Sequence, residues 1–382
     1  MRYLYVAPRF HTNQVPIVSE LIRTGNEVKF ISQFAGQTED YSDVAPVIVG
    51  YSGFFNLILF VAGRIGLLED SKLNIFKIKC GFPNKHKLME EISQFNPDVV
   101  ITRERSVYSM YVNSICRRLG VSVILYDQSP YWLEKIKNDI PHKMVRKLTP
   151  NRRMTPVLGT YSNDKVYEPK SKYVPFVMPV NYGFEDRKSR ERGNDRIRLI
   201  EIGKYENRKN HILMVMSAVT LMKEYDIELV IIGECSSDTH QKYYDMLETK
   251  IGELSKQRPY IKDRIHLLAN VPYQDMEKEY KKADIMVIPS TAEPASISQL
   301  EAMSYSLPVI CSEKNGTACY VENGVNGFLF KDNDEESLTD AIGRIIASKN
   351  MRNDMSYNSY RLVKEKYQID LYEKGVKELI SL

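Results

Sequence analysis

Short apolar runs alternate along the chain with longer stretches whose apolar residues recur every three to four positions. "RYLYVA" is followed by "QVPIVSELIRTG" and "NEVKFIS"; "PDVVIT" is followed by "SVYSMYVNSICRRLG" and "VSVILYD". The runs read as strands and the periodic stretches as helices, so the alternation predicts βαβ units and a mostly parallel sheet. The pattern loosens from Glu134 to Met154, where basic residues gather in "KIKNDIPHKMVRKLTPNRRM", and resumes near "PVLGTYSNDKVY". "KYVPFVMPVNYGFEDRKSRERGND", with its two prolines and its charged, glycine-containing end, reads as a connection between domains. A second series runs from "RIRLIEIGKY" through "HILMVMSAVTLMKEY", "IELVIIGE", "RIHLLANV", "DMEKEYKKA" and "DIMVIPS" to "PVICSE". The end, "RNDMSYNSYRLVKEKYQIDLYEKGVKELISL", is helical and amphipathic. No repeat of about 20–50 residues is visible, which excludes a solenoid. The expected fold is α/β, with two doubly wound domains facing a cleft.

Composition narrows the class. Hydrophobic residues make up 43% of the 382 positions and charged residues 27%, values of an ordinary soluble globular protein with room for two domains. A net charge of +4 is mild and lacks the dense basic stripe of a nucleic-acid binder, so no nucleic-acid partner is expected. Met1 leads straight into "RYLYVA" without a charged segment and cleavage site, and no signal peptide is expected. The five cysteines, Cys80, Cys116, Cys235, Cys311 and Cys319, form no C-x-x-C pair and have no zinc-like histidine spacing. Neither a disulfide framework nor a structural metal is expected, and a reducing cytosol is the expected location. No apolar run reaches the roughly 18–20 residues that span a bilayer. The nearest, "GFFNLILFVAG" from Gly53 to Gly63, is followed by Arg64; a buried helix is the plain expectation, an acceptor-side or membrane-facing patch the alternative.

The densest chemistry lies in "EPASISQLEAMSYSLPV", Glu293 to Val309. Pro294 disfavours a helical conformation at Glu293, which puts that carboxylate on the loop after "DIMVIPS". Ser296 and Gln299 spell S-x-x-Q, a capping box that starts a helix at about Ile297. Glu301 then lies inside this helix, which must stop before Pro308. Between the two acids lie the unpaired amides of residues 296–299 and the positive end of the helix dipole, a place suited to an anion. A nucleotide sugar has a matching order of groups. Glu293 can accept from sugar hydroxyls, the amides can face a diphosphate, and Glu301 can accept a ribose diol. Two glutamates at this separation occur often by chance. The surrounding strand, proline, cap pattern, helix and "LPVI" strand carry the reading.

In that setting the stretch resembles the Glu-seven-Glu motif of family 4 retaining glycosyltransferases, enzymes of the two-Rossmann-domain (GT-B) type, in particular those of bacterial polysaccharide assembly. The likeness spans roughly Ile197 to Ile346 and fits the N-terminal half in pattern only. "IGKYENRKNH" resembles the family's Gly-Arg…Lys segment, which places Gly203, Lys204 and Lys209 at the diphosphate, the two lysines as its cations. "VIIGE" resembles the family's strand ending in glycine, here Gly233. "NGTACYVENGVNGFLF" resembles its glycine-rich turn and following strand, with Gly316, Gly324 and Gly327 in place. The resemblance also implies donor contacts at Val271 and at Ala295, Ser296, Ile297 and Ser298. Departures are specific. Lys204 stands for the usual Arg, a point charge instead of a fork. Asn315 and Cys319 stand where Gly and Glu are common. Ser306 holds a helix-ending glycine position, a small backbone cost if that site is left-handed.

What the resemblance implies is transfer of a hexose from a nucleoside diphosphate sugar, UDP favoured over GDP, to a hydroxyl of a saccharide or lipid-linked saccharide. It implies retained anomeric configuration, no metal or other cofactor, and a place in surface polysaccharide or lipopolysaccharide assembly, in the cytoplasm or at the inner face of the plasma membrane. Residues 1–185 would form the acceptor-side domain and 186–360 the nucleotide-sugar domain, with a helix over 361–382 crossing back to the first. Lys204, Lys209 and the amides at Ala295–Ser298 would stabilise the departing diphosphate, and domain closure would align the substrates. Rival readings are a non-catalytic nucleotide-sugar-binding subunit or sensor, and a same-fold epimerase or phosphorylase.

Several residues have a plainer reading beside the chemical one. Lys204 and Lys209 could be solvated surface lysines, but their place after Gly203 at a helix start favours phosphate contact. Asp332-Asn333-Asp334 spells D-x-D, yet it opens "EESLTDAIGRII", where capping explains it. In the first domain, His11 in "PRFHTN" lies at the carboxyl edge where open α/β sheets bind ligands. Asp127 and Gln128 follow "VSVILY", where relatives often carry His, and either could touch the sugar or acceptor hydroxyl or only cap the next segment. Arg103 and Glu104 share that edge, and Asn13 reads as a helix cap. The basic segment Lys135 to Arg153 reads as solvated surface or as contact for anionic headgroups.

Overall fold

The computed structural model describes residues 1–10, 12–35, 41–64, 70–103, 106–128, 140, 143, 147–148, 152–158, 171–180, 183–185, 196–291 and 293–382. The chain forms two compact units: Met1–Pro156 with Pro169–Val177 and Ile369–Leu382, and Val157–Glu168 with Met178–Gln368.

In the first unit, β1 (Arg2–Ala7), β2 (Glu27–Ser32), β3 (Val47–Ile48), β4 (Val99–Arg103), β5 (Ser122–Tyr126), β6 (Arg153–Thr155) and β7 (Lys172–Tyr173) make a parallel sheet. Its order is β3-β2-β1-β4-β5-β6-β7. The central strands are apolar without interruption because both faces are covered: Tyr3 to Ala7 and Val99 to Ile101 are all buried. The helices are α1 (Val15–Arg23), α2 (Gly53–Arg64), α3 (Asp70–Cys80), α4 (Lys85–Phe95) and α5 (Val107–Leu119). Leu88 and Ile92 of α4 join Tyr108, Val112 and Ile115 of α5 over Leu4, Val6 and Val100 of the sheet. A capping box between Ser106 and Ser109 starts α5, and Gly120, in the left-handed region, ends it.

The expectation of a buried helix at Gly53–Gly63 fails for one side of α2. Phe55 turns inward against Tyr51, Phe76 and Phe82. Phe54 (71% exposed), Leu57 (59%), Ile58, Phe60 and Val61 face outward. Only Phe55's side of α2 packs inward, and the outward side is apolar for a reason the core does not supply.

The second unit contains β8 (Ile197–Ile202), α6 (His211–Leu221), β9 (Ile227–Gly233), α7 (Asp238–Gln257), β10 (Ile265–Ala269), α8 (Tyr273–Lys282), β11 (Ile285–Ile288), α9 (Ile297–Ser304), β12 (Val309–Ser312), β13 (Gly327–Phe330), α10 (Glu335–Ala347) and α11 (Lys349–Lys366). Its strands are parallel in the order β10-β9-β8-β11-β12-β13. The amphipathic C-terminal stretch makes two helices, not one. Gln368 marks the break, its side-chain amide donating to the carbonyls of Val363 and Met178. Beyond it α12 (Ile369–Ile380) joins the first unit, where the Tyr372 and Tyr5 hydroxyls meet at 2.8 Å and Gly375 lies against Val174.

Chain order reverses between β8 and β11: the path from β8 moves outward to β9 and that from β11 moves outward to β12. In open α/β sheets the crevice outside the carboxyl ends of two such strands is where ligands bind.

Candidate functional site

Two loops leave β8 and β11 at this switch point. Gly203 follows β8, and a Cβ there would lie 2.8 Å from Lys209 Cδ, so glycine leaves the channel through which the lysine stem passes. Gly233, ending β9, is required in turn: a Cβ would lie 2.3 Å from the Gly203 carbonyl oxygen and 2.9 Å from the Tyr205 ring. Asn207–Lys209 form a 3-10 turn, and left-handed Asn210 leads into α6. His211, at the start of α6, is buried; its Nδ1 lies 2.6 Å from Glu201 Oε1, and its Nε2 lies 3.0 Å from the Lys204 carbonyl, fixing this loop from beneath.

The other loop carries Glu293, 7% exposed, against Lys209, 8% exposed. Lys209 Nζ donates to Glu293 Oε2, and Arg208 Nη1 donates to the same oxygen at 3.0 Å. Burial pushes the Glu293 carboxyl up, but the two cations outweigh it and hold the group below the ordinary carboxylate range. Arg208 Nη2 also lies 2.8 Å from Glu206 Oε1. Backbone contacts fix the arrangement. The Thr291 N–H donates to the Arg208 carbonyl at 2.9 Å, the Glu293 N–H to Asn315 Oδ1 at 2.9 Å, and the Gly316 N–H to the Glu293 carbonyl at 2.9 Å. Asn315, a departure from the family pattern, therefore holds Glu293 in place.

Lys204 points to a different partner. Its ammonium group lies 2.8 Å from Glu234 Oε2; burial pushes Glu234 up, and hydrogen bonds from Lys204 and Ser236 bring it below its ordinary range.

Helix α9 begins at Ile297, as the spacing predicts, but the capping box does not form. Ser296 Oγ pairs with Ser298 Oγ at 2.7 Å, and the buried Gln299 reaches across to the Thr317 carbonyl at 3.1 Å. With Ser296 Oγ on Ser298 and the Gln299 side chain on the Thr317 carbonyl, no side chain among the described residues caps the first turn, and its dipole end stays open. Inside the helix, Glu301 is buried and accepts from Tyr280 at 2.6 Å and Tyr273 at 3.3 Å. Burial raises its pKa, and the two phenols oppose the rise. Burial and the Glu301 charge push the Tyr280 hydroxyl well up, so it stays protonated as a donor. Ser306 has φ 60°, the left-handed conformation that its position after the helix requires of a residue with a side chain.

Val271, half-buried, follows β10 after left-handed Asn270. Asp334 caps α10 by accepting from the Ser337 N–H at 2.9 Å, while Asp332 accepts from Ser312 Oγ at 2.9 Å and pairs with Lys314 at 3.3 Å. In the first unit, the Asp127 N–H donates to the Met154 carbonyl, and Gln128 bridges Arg103 at 2.7 Å and the Tyr126 hydroxyl at 3.0 Å. Asn13 does not cap α1, which is entered from Gln14 without a side-chain cap; Asn13 Oδ1 is buried and accepts no hydrogen bond among the described residues. His11, Glu104 and most of the basic segment 135–153 lie outside the described residues.

Arg208, Tyr273, Tyr280 and the Glu201–His211 pair are absent from the sequence reading. Tyr273 and Tyr280 stand seven apart, two turns along one face of α8, and that spacing is the signal that could have found them. Among the described residues, no cluster of three or more His, Cys, Asp or Glu could hold a metal ion. No described helix is long and apolar enough to cross a membrane.

Residues 184–362 match the family model for glycosyl transferases group 1. An uncharacterized glycosyltransferase of Methanocaldococcus jannaschii is 25% identical over 200 residues, 51% of this chain and 48% of that protein. The UDP-Gal:alpha-D-GlcNAc-diphosphoundecaprenol alpha-1,3-galactosyltransferase of Escherichia coli is 39% identical over 106 residues, 26% of this chain and 27% of that protein. The chain thus spans less than half the length of these relatives. A glycosyltransferase from Rickettsia africae superposes with TM-score 0.70 at 14% identity, covering 100% of this chain and 98% of its own. Anabaena HepE in complex with UDP superposes with TM-score 0.69 at 13% identity, covering 100% of both chains. These likenesses show the fold: two Rossmann-like domains of the GT-B kind.

Proposed function

We propose that this chain is a retaining glycosyltransferase that moves a hexose from a nucleoside diphosphate sugar to a hydroxyl of a saccharide or lipid-linked saccharide. One observation carries the reading: Lys209 and Arg208 converge on buried Glu293 beside the uncapped start of α9, whose interior holds a second buried carboxylate, Glu301. Two cations and an open helix end match a diphosphate, and flanking carboxylates match the hydroxyls of the sugar on one side and the ribose on the other. The group 1 match over 184–362 supports the same reading. UDP is the favoured base because the Escherichia coli relative is named for UDP-Gal and the Anabaena neighbour was solved with UDP.

In the reaction, the bond from the anomeric carbon to the diphosphate oxygen breaks, and its electron pair leaves with the phosphate. Lys209, Arg208 and the amides of Ala295–Ser298 face the charge that develops there. The acceptor oxygen bonds to the anomeric carbon from the face the diphosphate leaves, and its proton passes to the freed phosphate oxygen. Neither a separate base nor a metal is needed for that balance. The first unit, with Asp127 at the end of β5, is the acceptor side. The outward apolar face of α2, ending in Arg64, suits the surface of an anionic bilayer, and the relative named for a diphosphoundecaprenol acceptor supports a lipid-linked substrate.

The test is a thermal-shift panel of UDP- and GDP-sugars, followed by transfer to saccharide acceptors with the product's anomeric configuration read by NMR. Retained configuration is expected. An inverted product ends the retaining claim, and donor binding without transfer to any acceptor favours a sensor or partner subunit instead.

A further inference from the structure

We infer that Arg208, not Lys204, supplies the second cation for the diphosphate, and that it does so by exchanging Glu293 for the ligand. This rests on the proposed donor site. Lys204 is paired outside the Glu293 cluster, its ammonium group 2.8 Å from Glu234 on the strand-β9 side. Arg208 lies in the cluster itself, its guanidinium 3.0 Å from Glu293 and 2.8 Å from Glu206, its carbonyl held by the Thr291 N–H on the loop that leads into α9. The planar fork that Lys204 lacks is thus present four positions later in the chain.

The charges show why exchange is required. Arg208 and Lys209 bring two positive charges and Glu206 and Glu293 two negative ones, so the four-residue cluster balances to zero before any donor arrives. An arriving diphosphate must therefore compete with Glu293 for its cations. The two cations differ in freedom. The Lys209 side chain is 11% exposed and threads past Gly203, whereas that of Arg208 is 39% exposed. Lys209 stays and Arg208 moves. Once Arg208 has left, Glu293 Oε2 keeps Lys209 and loses one of its two donors, so a sugar hydroxyl can donate in the place of the guanidinium.

Isothermal titration with UDP at fixed ionic strength tests this on the full chain, with melting midpoints confirming that each variant is folded. Arg208→Ala is expected to weaken UDP about 10- to 100-fold, the range for losing a hydrogen bond to a charged group. Arg208→Lys should recover only part of the loss, since it restores the charge without the fork. Lys204→Ala should lose less than Arg208→Ala. Glu293→Gln, which removes the competing carboxylate, should tighten UDP, which carries no sugar, and the gain should be smaller when Arg208→Ala is also present. If the wild-type chain binds neither UDP nor GDP, the donor site and this inference fall together. If it binds UDP while Arg208→Ala binds equally well, or Lys204→Ala loses more, only the assignment to Arg208 falls. A Glu293→Gln chain that binds UDP more weakly overturns the exchange.

Discussion

Replacing Lys209 by methionine keeps the unbranched stem that passes Gly203 and removes only the ammonium group. Two separable losses are expected. The first is catalytic: Lys209 is a buried, fixed donor aimed at the departing phosphate, and losing one such donor typically lowers kcat about 100- to 1,000-fold. The bound UDP product, lacking the extra charge of the transition state, should weaken only about tenfold. The second loss is in stability. Glu293 would remain 7% exposed with half-exposed Arg208 as its charged partner. Leaving a buried charge wholly unpaired costs about 3–5 kcal/mol, and with Arg208 still present about 2 kcal/mol is expected. For a unit of this size that lowers the melting midpoint by about 4–8 °C. Adding Glu293→Gln to Lys209→Met removes the stranded charge, so the double variant should regain most of the lost midpoint and none of the lost kcat. Steady-state transfer kinetics and calorimetry on the three chains read both effects. A Lys209→Met enzyme within threefold of wild-type kcat, or a double variant whose activity returns with its stability, would refute the assignment of Lys209 to the diphosphate.

Three further outcomes follow from the same geometry. Burial raises Glu301, so its charged form is lost as pH falls through a value above the ordinary 4.5, and UDP affinity should fall with it. Tyr280→Phe removes a hydrogen bond that opposes the rise, so the acid limb should move to higher pH in a binding titration, whereas Glu301→Gln should weaken UDP above the limb and abolish the limb itself; an unmoved limb or unchanged affinity counts against a ribose role. Gly203→Ala should crowd the Lys209 stem, costing about 1–3 kcal/mol of stability and weakening UDP, and a variant with unchanged UDP affinity would show that the channel is not needed. Leu57→Asp with Phe60→Asp on α2 should abolish co-sedimentation with anionic vesicles while UDP binding stays at the wild-type value, and undiminished sedimentation would remove the bilayer contact.

The strands were the legible part of the fold because their central residues are buried on both faces and so are mostly apolar: β1, β4, β8, β9 and β11 follow the runs seen in the sequence, even where β8 carries Arg198 and Glu201. What escaped had other causes. Helix α7 spans 20 residues yet buries only Tyr243, Leu247 and Ile251, so its apolar signal is thin. The outward side of α2 is apolar for reasons unrelated to the core, and a hydrophobic run alone cannot distinguish the two. In the site, Glu293, Glu301, Lys209 and Gly203 were legible through their spacing around a strand end and a helix start. Arg208 was hidden by its place beside Lys209, since only the turn of the loop lets two adjacent cations both reach Glu293. The capping box is lost at both halves: Ser296 Oγ pairs with Ser298 Oγ, and the Thr317 carbonyl, distant in sequence, draws the Gln299 side chain away. Ser296 and Gln299 satisfy the local pattern, and these two contacts override it.

A crystal structure with UDP bound is the most direct test. Diphosphate oxygens are expected within hydrogen-bonding distance of Lys209 Nζ and the first amides of α9, with the ribose on Glu301 and Arg208 turned from Glu293 to the phosphate. UDP bound elsewhere, with Lys209 and Arg208 still closed on Glu293, would contradict the site.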